Sequence, residues 1–427
     1  MPTDSSNTST PARPWPAAAE GPVMPGDPIL FVTQYYRPEL IGSGPFCADL
    51  AEWLAQHGRD VTALTGRPHY PRAEVFPGYE KGRGRETVNG VRVERLSSWI
   101  PKRRSAVFRI LGEAAFLVHG LWALATGRTG RHGVVLSLCP SILSVALANI
   151  ARRPGGLHIA VVHDIQSGLA AGLGLVGGRG LIKAMRWAER AALNRADLVV
   201  VLSQNMARQL RDIGVTTPID VVPIWVDTAS VQPMEPVEDG PLKILYSGNL
   251  GKKQGVGQLL DLAEELQVLR PDIEIILRGS GNQAQGLAGE IATRGLKNVT
   301  LADLLPPDRL VEGLSLGHIH LVPQDPEGAE FAVPSKVYNI MAVGRPFVTT
   351  ARPGSPLAEL EASSGAFLCV PPNDRRAFAA AVMKLADDRD LRARLGARGR
   401  SFVERHYAKP RVLGDFLARL DTLHAGR

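Results

Sequence analysis

LKILYSGNLGKKQG, residues 242–255, is the stretch that decides the fold. It begins with an apolar run typical of a buried strand, continues through a glycine turn with two lysines, and ends where a helix can begin. A turn that follows a strand and opens a helix presents backbone N–H groups to an anion. The stretch therefore predicts a strand–turn–helix unit with a phosphate-bearing ligand beside Lys252 and Lys253.

Two further stretches of this half of the chain are predicted to meet at the same turn. IEIILRGSG (273–281) is a second strand ending in glycines, and EGAEFAVPSKVYNIMAVGRPF (327–347) combines an acidic loop with a helix. Ser335 is predicted to cap that helix, with Lys336 in its first turn. Several helix N-termini and lysines in one crevice favour a diphosphate over a single phosphate. The pattern GxxxxGK[ST] does not occur in the sequence, which disfavours ATP hydrolysis.

The chain is long enough for two domains, because 427 residues exceed the about 250–300 at which a single core stops growing. The proline- and acid-rich residues 228–241 are the predicted linker between a first domain, 28–227, and a second, 242–408. Residues 409–427 are predicted to form a helix that packs back on the first domain. Residues 1–27 are rich in Pro, Ser, Thr and Ala and lack signal-peptide features, which predicts a disordered leader.

The first domain begins with the pattern of a βαβ unit. ILFVTQYY, from Ile29, is apolar on both faces, as is typical of a parallel strand covered on both sides. The loop Gly42-Ser43-Gly44, a helical apolar stripe and the strand DVTALTG follow. The loop is not the dinucleotide fingerprint GxGxxG, and no acid ends the second strand, so a nicotinamide site is disfavoured. A tight turn with close backbone packing is the alternative to a ligand-binding loop.

His163 and Asp164 follow a strand predicted at 157–162. A polar pair at the carboxyl end of a parallel strand lies where doubly wound sheets bind their ligands. The alternative is a structural histidine whose ring is satisfied by its neighbours. Strands predicted at 133–138 and 197–202 extend the same sheet.

Basic residues are concentrated in one segment of the first domain. Residues 81–109 hold nine Lys or Arg against two acids, and the whole chain has a net charge of +7. A mostly apolar helix predicted at 105–127 starts inside this segment and is expected to be too short to span a bilayer. The pattern favours an interfacial membrane segment whose basic patch is Lys102, Arg103, Arg104 and Arg109. A long core helix flanked by solvated charge is the alternative.

The motifs together resemble those of GT-B glycosyltransferases. Within that class they resemble the retaining enzymes of family 4, of the colanic acid and O-antigen type, which include fucosyl- and N-acetylfucosaminyl-transferases. The resemblance covers about residues 29–420 and is carried by TQYYRPELIGSGPFCADLAEWLAQHG, TGRPHYP, His163-Asp164, IWVD, SGNLGKKQG, RGSG and PSKVYNIMAVGRP. It implies an α/β fold of GT-B architecture, in which two doubly wound Rossmann-like domains face a cleft.

The resemblance also implies roles for individual residues. The loop Gly42, Ser43 and Gly44 would approach the donor diphosphate and sugar, while His163 would hydrogen-bond a sugar hydroxyl near the reacting centre. Lys253, with the neighbouring Lys252, would neutralise the diphosphate. The other implied donor-binding residues are Asn249, Gly279, Gly281, Ser335, Lys336 and Asn339.

The chain departs from the family at its paired glutamates. The second glutamate, which holds the ribose hydroxyls, falls on Asn339, and the first falls on Phe331 with Glu330 next to it. Asn339 can still donate and accept hydrogen bonds. Glu330 is the implied catalytic carboxylate beside His163.

The implied reaction moves a sugar from a GDP- or UDP-linked donor with retention at the anomeric carbon, through front-face attack assisted by the leaving phosphate. Prearranged N–H groups and lysine would stabilise the leaving diphosphate, so no metal or other cofactor is expected. The three cysteines are far apart and lack CxxC spacing, which argues against a zinc site.

The expected acceptor is a polyprenyl-diphosphate-linked saccharide of bacterial exopolysaccharide or O-antigen synthesis, and no nucleic-acid partner is expected. The protein is expected to be cytoplasmic and peripheral on the anionic inner face of the plasma membrane. The alternatives are a sugar-nucleotide epimerase of GT-B architecture and a non-catalytic membrane-bound scaffold.

Overall fold

The computed structural model describes residues 27–39, 42–70, 74–80, 84–101, 106–168, 179–234, 240–251, 255–281, 283–324 and 333–427. Nearly all of the predicted leader lies outside these ranges. So do six predicted site residues, namely Lys102, Arg103, Arg104, Lys252, Lys253 and Glu330.

An eight-stranded sheet forms the first domain, with the strand order β3-β4-β2-β1-β5-β6-β7-β8. Its strands are β1 (Ile29–Val32), β2 (Val61–Thr65), β3 (Gly84–Val88), β4 (Val91–Arg95), β5 (His132–Cys139), β6 (Arg152–Val162), β7 (Leu198–Val201) and β8 (Ile219–Val221). Only β3 and β4 pair in an antiparallel manner, through a turn that places Asn89 and Gly90 at positive φ. The other pairs are parallel, as predicted for a doubly wound sheet.

Helices cover both faces of this sheet, because its strands direct apolar side chains to both sides. They are α1 (Gly44–Gln56), α2 (Ala106–Ala125), α3 (Ile142–Ala151), α4 (Arg179–Leu193) and α5 (Gln204–Asp212). Ile29 and Phe31 pack with α1 on one face, whereas Leu30 and Val32 pack with α2 and α3 on the other. α4 and α5 continue the second layer beyond α3.

The second domain is built on a six-stranded parallel sheet with the order β11-β10-β9-β12-β13-β14. Its strands are β9 (Leu242–Asn249), β10 (Ile273–Ser280), β11 (Val299–Ala302), β12 (Ile319–Val322), β13 (Phe347–Thr350) and β14 (Leu368–Val370). Its helices are α6 (Gly257–Leu269), α7 (Ala284–Arg294), α8 (Leu310–Ser315), α9 (Lys336–Ala342), α10 (Pro356–Ser364), α11 (Arg375–Asp387) and α12 (Arg389–His406). The prediction of two Rossmann-like α/β domains is confirmed.

The last described helix, α13 (Lys409–Ala425), returns to the first domain and packs on the α1 face of its sheet. Its buried apolar side chains are Val412, Leu413, Phe416, Leu417 and Leu420. Lys409 pairs with Asp49 at 2.9 Å, and Arg419 pairs with Asp220 at 2.8 Å. The chain therefore crosses between the domains twice.

The described part of the predicted linker is held on the second domain. Arg400 of α12 donates from Nη2 to the carbonyl of Thr228 at 3.0 Å and from Nη1 to the carbonyl of Ala342 at 2.7 Å. Val231 is buried in the second-domain core. The described part of the linker is thus anchored to the second domain through Val231 and the backbone of Thr228.

α2 is long and apolar enough to cross a membrane by length and composition, which corrects the expectation that it is too short. The window Phe108–Ala125 has a mean hydropathy of 1.3, and 28% of it is buried in the domain. A protein-facing side nevertheless fixes the helix on the sheet. Phe116 is buried there, and Gly120 lies so close to Leu147 that a Cβ would come within 2.3 Å of it.

Candidate functional site

Each sheet has one point where the strand order reverses, between β1 and β5 in the first domain and between β9 and β12 in the second. Ligands of doubly wound sheets bind outside the carboxyl ends of the strands at such points. Most of the predicted site residues in the described part of the chain lie at these two edges. An ion pair between Arg208 of α5 and Glu359 of α10, at 4.0 Å, spans the domains.

Lys336 brings a buried cation to the carboxyl end of β9. Its Nζ is buried, lies 3.8 Å from the centroid of the Tyr246 ring, and has no hydrogen-bond partner in the described part of the chain. A Cβ added at Gly248 would lie 3.5 Å from Nζ, so the backbone of β9 also passes close to the ammonium. Burial lowers the pKa of Lys336 to about 7, because removal from water disfavours the charged ammonium. A negatively charged ligand at this edge would restore the missing partner.

Three other buried basic side chains of this domain, unlike Lys336, have hydrogen-bond partners in the described part of the chain. Arg278 donates to the carbonyl of Gly313 at 2.9 Å, and Arg345 donates to that of Ser315 at 3.2 Å. The Nε2 of His320 lies 2.9 Å from the carbonyl oxygen of Leu314, the residue between Gly313 and Ser315. Together they satisfy three successive carbonyl groups at the end of α8.

Gly279 and Gly281 have a packing requirement that sequence reasoning did not identify. A Cβ on Gly279 would lie 2.0 Å from the carbonyl oxygen of Gly248, and one on Gly281 would lie 2.3 Å from that of Leu250. The glycines therefore let the ends of β9 and β10 approach each other. Asn249 is exposed at the same edge, so it can reach a ligand.

Ser335 does not cap α9 as predicted. Its φ and ψ of −56° and −26° are already helical, and its side chain accepts no capping hydrogen bond. A capping serine needs an extended backbone to direct its hydroxyl back to the first N–H groups. Asn339 lies one turn into α9 and is half-buried, and its backbone carbonyl accepts from the N–H of Val343.

The Gly42–Gly44 loop is fixed at the carboxyl end of β1. Gly42 has a φ of +75°, and a Cβ there would lie 3.3 Å from the ring of Tyr70. Glu39 joins this loop to the loop after β2, because its buried carboxylate accepts from the N–H groups of Tyr36, His69 and Tyr70 at 2.9–3.2 Å. Burial is the main cause of the raised pKa of Glu39. α1 begins at Gly44, so the loop delivers a helix N-terminus to the edge of the sheet.

His163 lies at the carboxyl end of β6 and carries an unsatisfied ring nitrogen. Its backbone N–H donates to the carbonyl of Cys139 at 3.1 Å, whereas its buried Nε2 has no partner among the described residues. The Phe46 ring packs edge-on against it with the centroids 5.8 Å apart. Burial lowers the pKa of His163 to about 4, so the imidazole is neutral at pH 7. These features disfavour the alternative of a satisfied structural histidine.

Glu113 is a buried carboxylate at the same edge that the sequence interpretation missed. It accepts from Ser141 Oγ at 2.9 Å and from Gln166 Nε2 at 3.2 Å, and Arg109 Nε lies 3.7 Å away. Burial raises the pKa of Glu113. The single acid of a mostly apolar helix was the available signal. Arg109 thus lies on the Glu113 side of α2, although the predicted basic patch groups it with Lys102–Arg104.

Among the described residues, no group of three or more His, Cys, Asp or Glu side chains could hold a metal ion. The edges of the two sheets offer a buried lysine from the second domain and a neutral histidine from the first. Their contacts suit hydrogen bonding and anion binding.

Two sequence families account for most of the chain. Residues 42–225 match the family described as glycosyl transferase 4-like domain, and residues 231–402 match the one described as glycosyl transferases group 1. WcaI of Escherichia coli, named as a colanic acid biosynthesis glycosyl transferase, is 29% identical over 399 residues, or 90% of this chain and 97% of WcaI. WbjE of Pseudomonas aeruginosa, named as a glycosyltransferase, is 24% identical over 69% of this chain and 75% of WbjE.

Solved structures share the fold over nearly the whole chain. Sucrose-phosphate synthase from Thermosynechococcus elongatus has a TM-score of 0.73 at 20% identity and covers 94% of this chain and 100% of its own. Anabaena HepE in complex with UDP and glucose has a TM-score of 0.67 at 15% identity, and the match covers 92% of this chain and 99% of HepE. WaaG, a glycosyltransferase involved in lipopolysaccharide biosynthesis, has a TM-score of 0.65 at 13% identity, and the match covers 92% of this chain and 99% of WaaG. The chain is therefore a GT-B glycosyltransferase of the family 4-like, group 1 type, related to a colanic acid biosynthesis enzyme.

Proposed function

We propose that this protein transfers a sugar from a nucleotide-diphosphate donor, with retention, to a lipid-linked or growing saccharide in exopolysaccharide or O-antigen synthesis. The observation that carries the proposal is the buried Nζ of Lys336 at the β9/β12 reversal point, which has no hydrogen-bond partner among the described residues. A buried ammonium without a partner is costly, and a diphosphate would provide the missing charge. HepE, which shares the fold, was solved with UDP and with UDP-glucose, which supports a nucleotide donor.

In the proposed reaction, a bond forms between an acceptor oxygen and the anomeric carbon as the bond from that carbon to the diphosphate breaks. The proton of the acceptor hydroxyl passes to the leaving phosphate on the same face. Lys336, with Lys252 and Lys253, would stabilise the charge that develops on this phosphate without a metal or other cofactor. His163 is neutral at pH 7, so it would hydrogen-bond a sugar hydroxyl and not act as a cation.

The donor and acceptor follow from the same proposal. The donor would be a GDP- or UDP-linked hexose, with a fucosyl- or N-acetylfucosaminyl-type sugar as the first choice. The acceptor would be a polyprenyl-diphosphate-linked saccharide at the inner face of the bacterial plasma membrane. The exposed apolar side of α2 supports this location, because Val118 and Trp122 are 61% and 65% exposed.

Nucleotide binding is the first test. A panel of UDP, GDP, ADP and CMP would be screened by thermal unfolding of the full chain, since a ligand at 100 times its Kd stabilises by about 2.7 kcal/mol. We expect UDP or GDP to raise the Tm and the other nucleotides to have little effect. No shift with any nucleotide would contradict the proposal and favour a non-catalytic scaffold.

Transfer is the second test. Radiolabelled UDP- and GDP-sugars would be incubated with undecaprenyl-diphosphate-linked saccharides, and label entering the lipid phase would be counted. Lys336→Met is expected to reduce transfer strongly, whereas Lys384→Met, which removes an exposed lysine of α11, should leave it unchanged. Equal transfer by both variants would refute the assignment of Lys336. Epimerised donor formed without acceptor would instead indicate an epimerase.

A further inference from the structure

We propose that α4 is a second membrane-docking helix, and that the α2–α3–α4 layer rests together on an anionic bilayer. The inference rests on the proposed membrane-linked function and extends it to an element outside the basic segment at residues 81–109.

The packing of the first domain places α2 and α4 in the same layer. Both helices pack against α3, on the face of the sheet opposite to α1 and α13. On α2, Phe116 and Ala123 face the sheet, and on α4, Ala192 and Leu193 do so. Among the described residues, the opposite sides of both helices therefore point away from the sheet in the same layer.

The outward side of α2 is a continuous apolar stripe. Leu111, Val118 and Trp122 are 46%, 61% and 65% exposed, and their spacings of seven and four residues place them on one side of the helix. At its beginning, Gly112 packs against Pro101, and the exposed Trp99 lies 6.2 Å from the Phe108 ring. A monomeric soluble protein rarely exposes such a contiguous patch without a binding role.

α4 exposes a tryptophan between cations. Trp187 is 63% exposed, and Lys183 and Arg190 lie one helical turn before and after it. Leu181, near the start of the helix, is 47% exposed. Tryptophan is enriched at membrane interfaces, where its ring sits at headgroup level, and adjacent lysine and arginine side chains can reach the phosphates.

The distribution of acids distinguishes this layer from the opposite one. α2, α3 and α4 contain only two acidic residues, Glu113 and Glu189, and both are buried. Glu113 accepts from Ser141, and Glu189 accepts from the N–H and hydroxyl of Ser167. The exposed charges of the three helices are consequently all positive.

The helices on the other face, α1 and α13, carry four acids, namely Asp49, Glu52, Asp415 and Asp421, against three basic residues, namely Lys409, Arg411 and Arg419. An anionic bilayer therefore matches the α2–α3–α4 layer, with its exposed tryptophans and basic side chains, and not the opposite face. A second copy of this positively charged layer would be repelled.

Co-sedimentation with vesicles tests the charge contribution. The full chain would be mixed with phosphatidylcholine vesicles, with or without phosphatidylglycerol, at low and high salt. Each basic residue near an anionic surface contributes about 1 kcal/mol, or roughly fivefold in partitioning. Lys183→Glu/Arg190→Glu, which reverses the two cations on either side of Trp187, should thus weaken binding to anionic vesicles by at least about 25-fold. The matched change Arg376→Glu/Lys384→Glu, on exposed positions of α11, should not.

Tryptophan fluorescence tests the docking geometry. Lipids brominated near the headgroup should quench the wild-type emission, and Trp187→Phe and Trp122→Phe should each remove part of the quenched signal. Trp53→Phe, on α1 at the opposite face, should leave that signal unchanged.

The outcomes separate this inference from the proposed function. Quenching of Trp122 but not Trp187, with unaltered binding of the α4 charge variant, would overturn the role of α4 and leave a membrane-bound enzyme. Binding through neither helix would overturn both membrane statements, whereas nucleotide binding would still be tested by thermal unfolding. A dimer in solution that buries Trp187 without vesicles would also overturn the inference.

Discussion

Binding of a nucleotide diphosphate should become weaker with rising pH between 7 and 9, because of Lys336. Burial holds the pKa of its ammonium at about 7 in the free protein, so about half of the molecules carry the charge at pH 7. A bound diphosphate would raise this pKa, and binding would take up a proton. If the bound pKa stays above 9, the charged fraction of the free protein falls about 50-fold from pH 7 to pH 9.

The Kd for UDP or GDP should therefore rise by up to about 50-fold over this interval. Phosphate groups complete their last ionisation near pH 6, and ordinary lysines titrate near pH 10.4, so neither accounts for a change in this window. Isothermal titration calorimetry at several pH values, in buffers of different ionisation enthalpy, would measure both Kd and the uptake of about half a proton at pH 7.

Lys336→Met should remove the pH dependence, and Lys384→Met should retain it. A Kd that is constant from pH 7 to 9 in the wild type, or equally pH-dependent in Lys336→Met, would refute the reasoning.

Lys336→Met also tests how the buried ammonium of Lys336 affects the stability of the fold. The folded pKa of Lys336 lies below its unfolded value of 10.5, so the unfolded chain binds more protons and stability rises with pH between about 7 and 10.5. The loss of stability that comes from burying the charged ammonium of Lys336 is fully present below about pH 7. Lys336→Met should raise the free energy of unfolding at pH 7, by up to the order of 4 kcal/mol, and flatten its rise with pH. A lower stability of the variant throughout this range would contradict the assignment.

Three other predictions concern packing and the first domain. Gly279→Ala should destabilise the fold by about 2–4 kcal/mol in urea unfolding, because its Cβ would meet the carbonyl oxygen of Gly248, whereas Gly286→Ala, in open space on α7, should be neutral or stabilising. Leu413→Ala should cost about 2–5 kcal/mol, since this α13 side chain is fully buried, and Leu269→Ala, at an exposed position, should cost far less. His163→Phe should lower kcat by about tenfold with little change in nucleotide Kd, and the wild-type pH–rate profile should show no limb from His163 above pH 5, because its pKa is about 4. Equal losses of stability in the two glycine variants, or in the two leucine variants, would contradict the packing assignments. A limb of the pH–rate profile near pH 6.5 that disappears in His163→Phe would contradict the assignment of His163.

The architecture was predictable because it follows from local patterns. ILFV, LKILYSG and IEIIL form β1, β9 and β10, since apolar runs bounded by glycine and polar residues suit buried parallel strands. The hairpin at Asn89-Gly90 follows from the tolerance of both residues for positive φ. These features depend on neighbours within a few positions along the chain.

The chemistry of the site depended on distant residues and was less predictable. The Nζ of Lys336 lies beside the Tyr246 ring and Gly248, which are about 90 positions earlier in the chain. Serine before a helical run favours a cap, but the helical backbone at Ser335 prevents it. The carboxylate of Glu113 accepts hydrogen bonds from Ser141 and Gln166, and these residues come together only when the sheet forms. The requirement for Gly279 likewise appears only when β9 and β10 are paired.

The return of α13 to the first domain bears on the order in which the protein can mature during synthesis. Residues 409–425 leave the ribosome after the whole second domain, yet they cover the α1 side of the first sheet with five buried apolar side chains. The α1 side of the first sheet in the nascent chain must therefore stay uncovered until the second domain has been synthesised. We expect ribosome-bound chains that stop before Lys409 to recruit chaperones through this surface, and release of the last helix to complete the first domain.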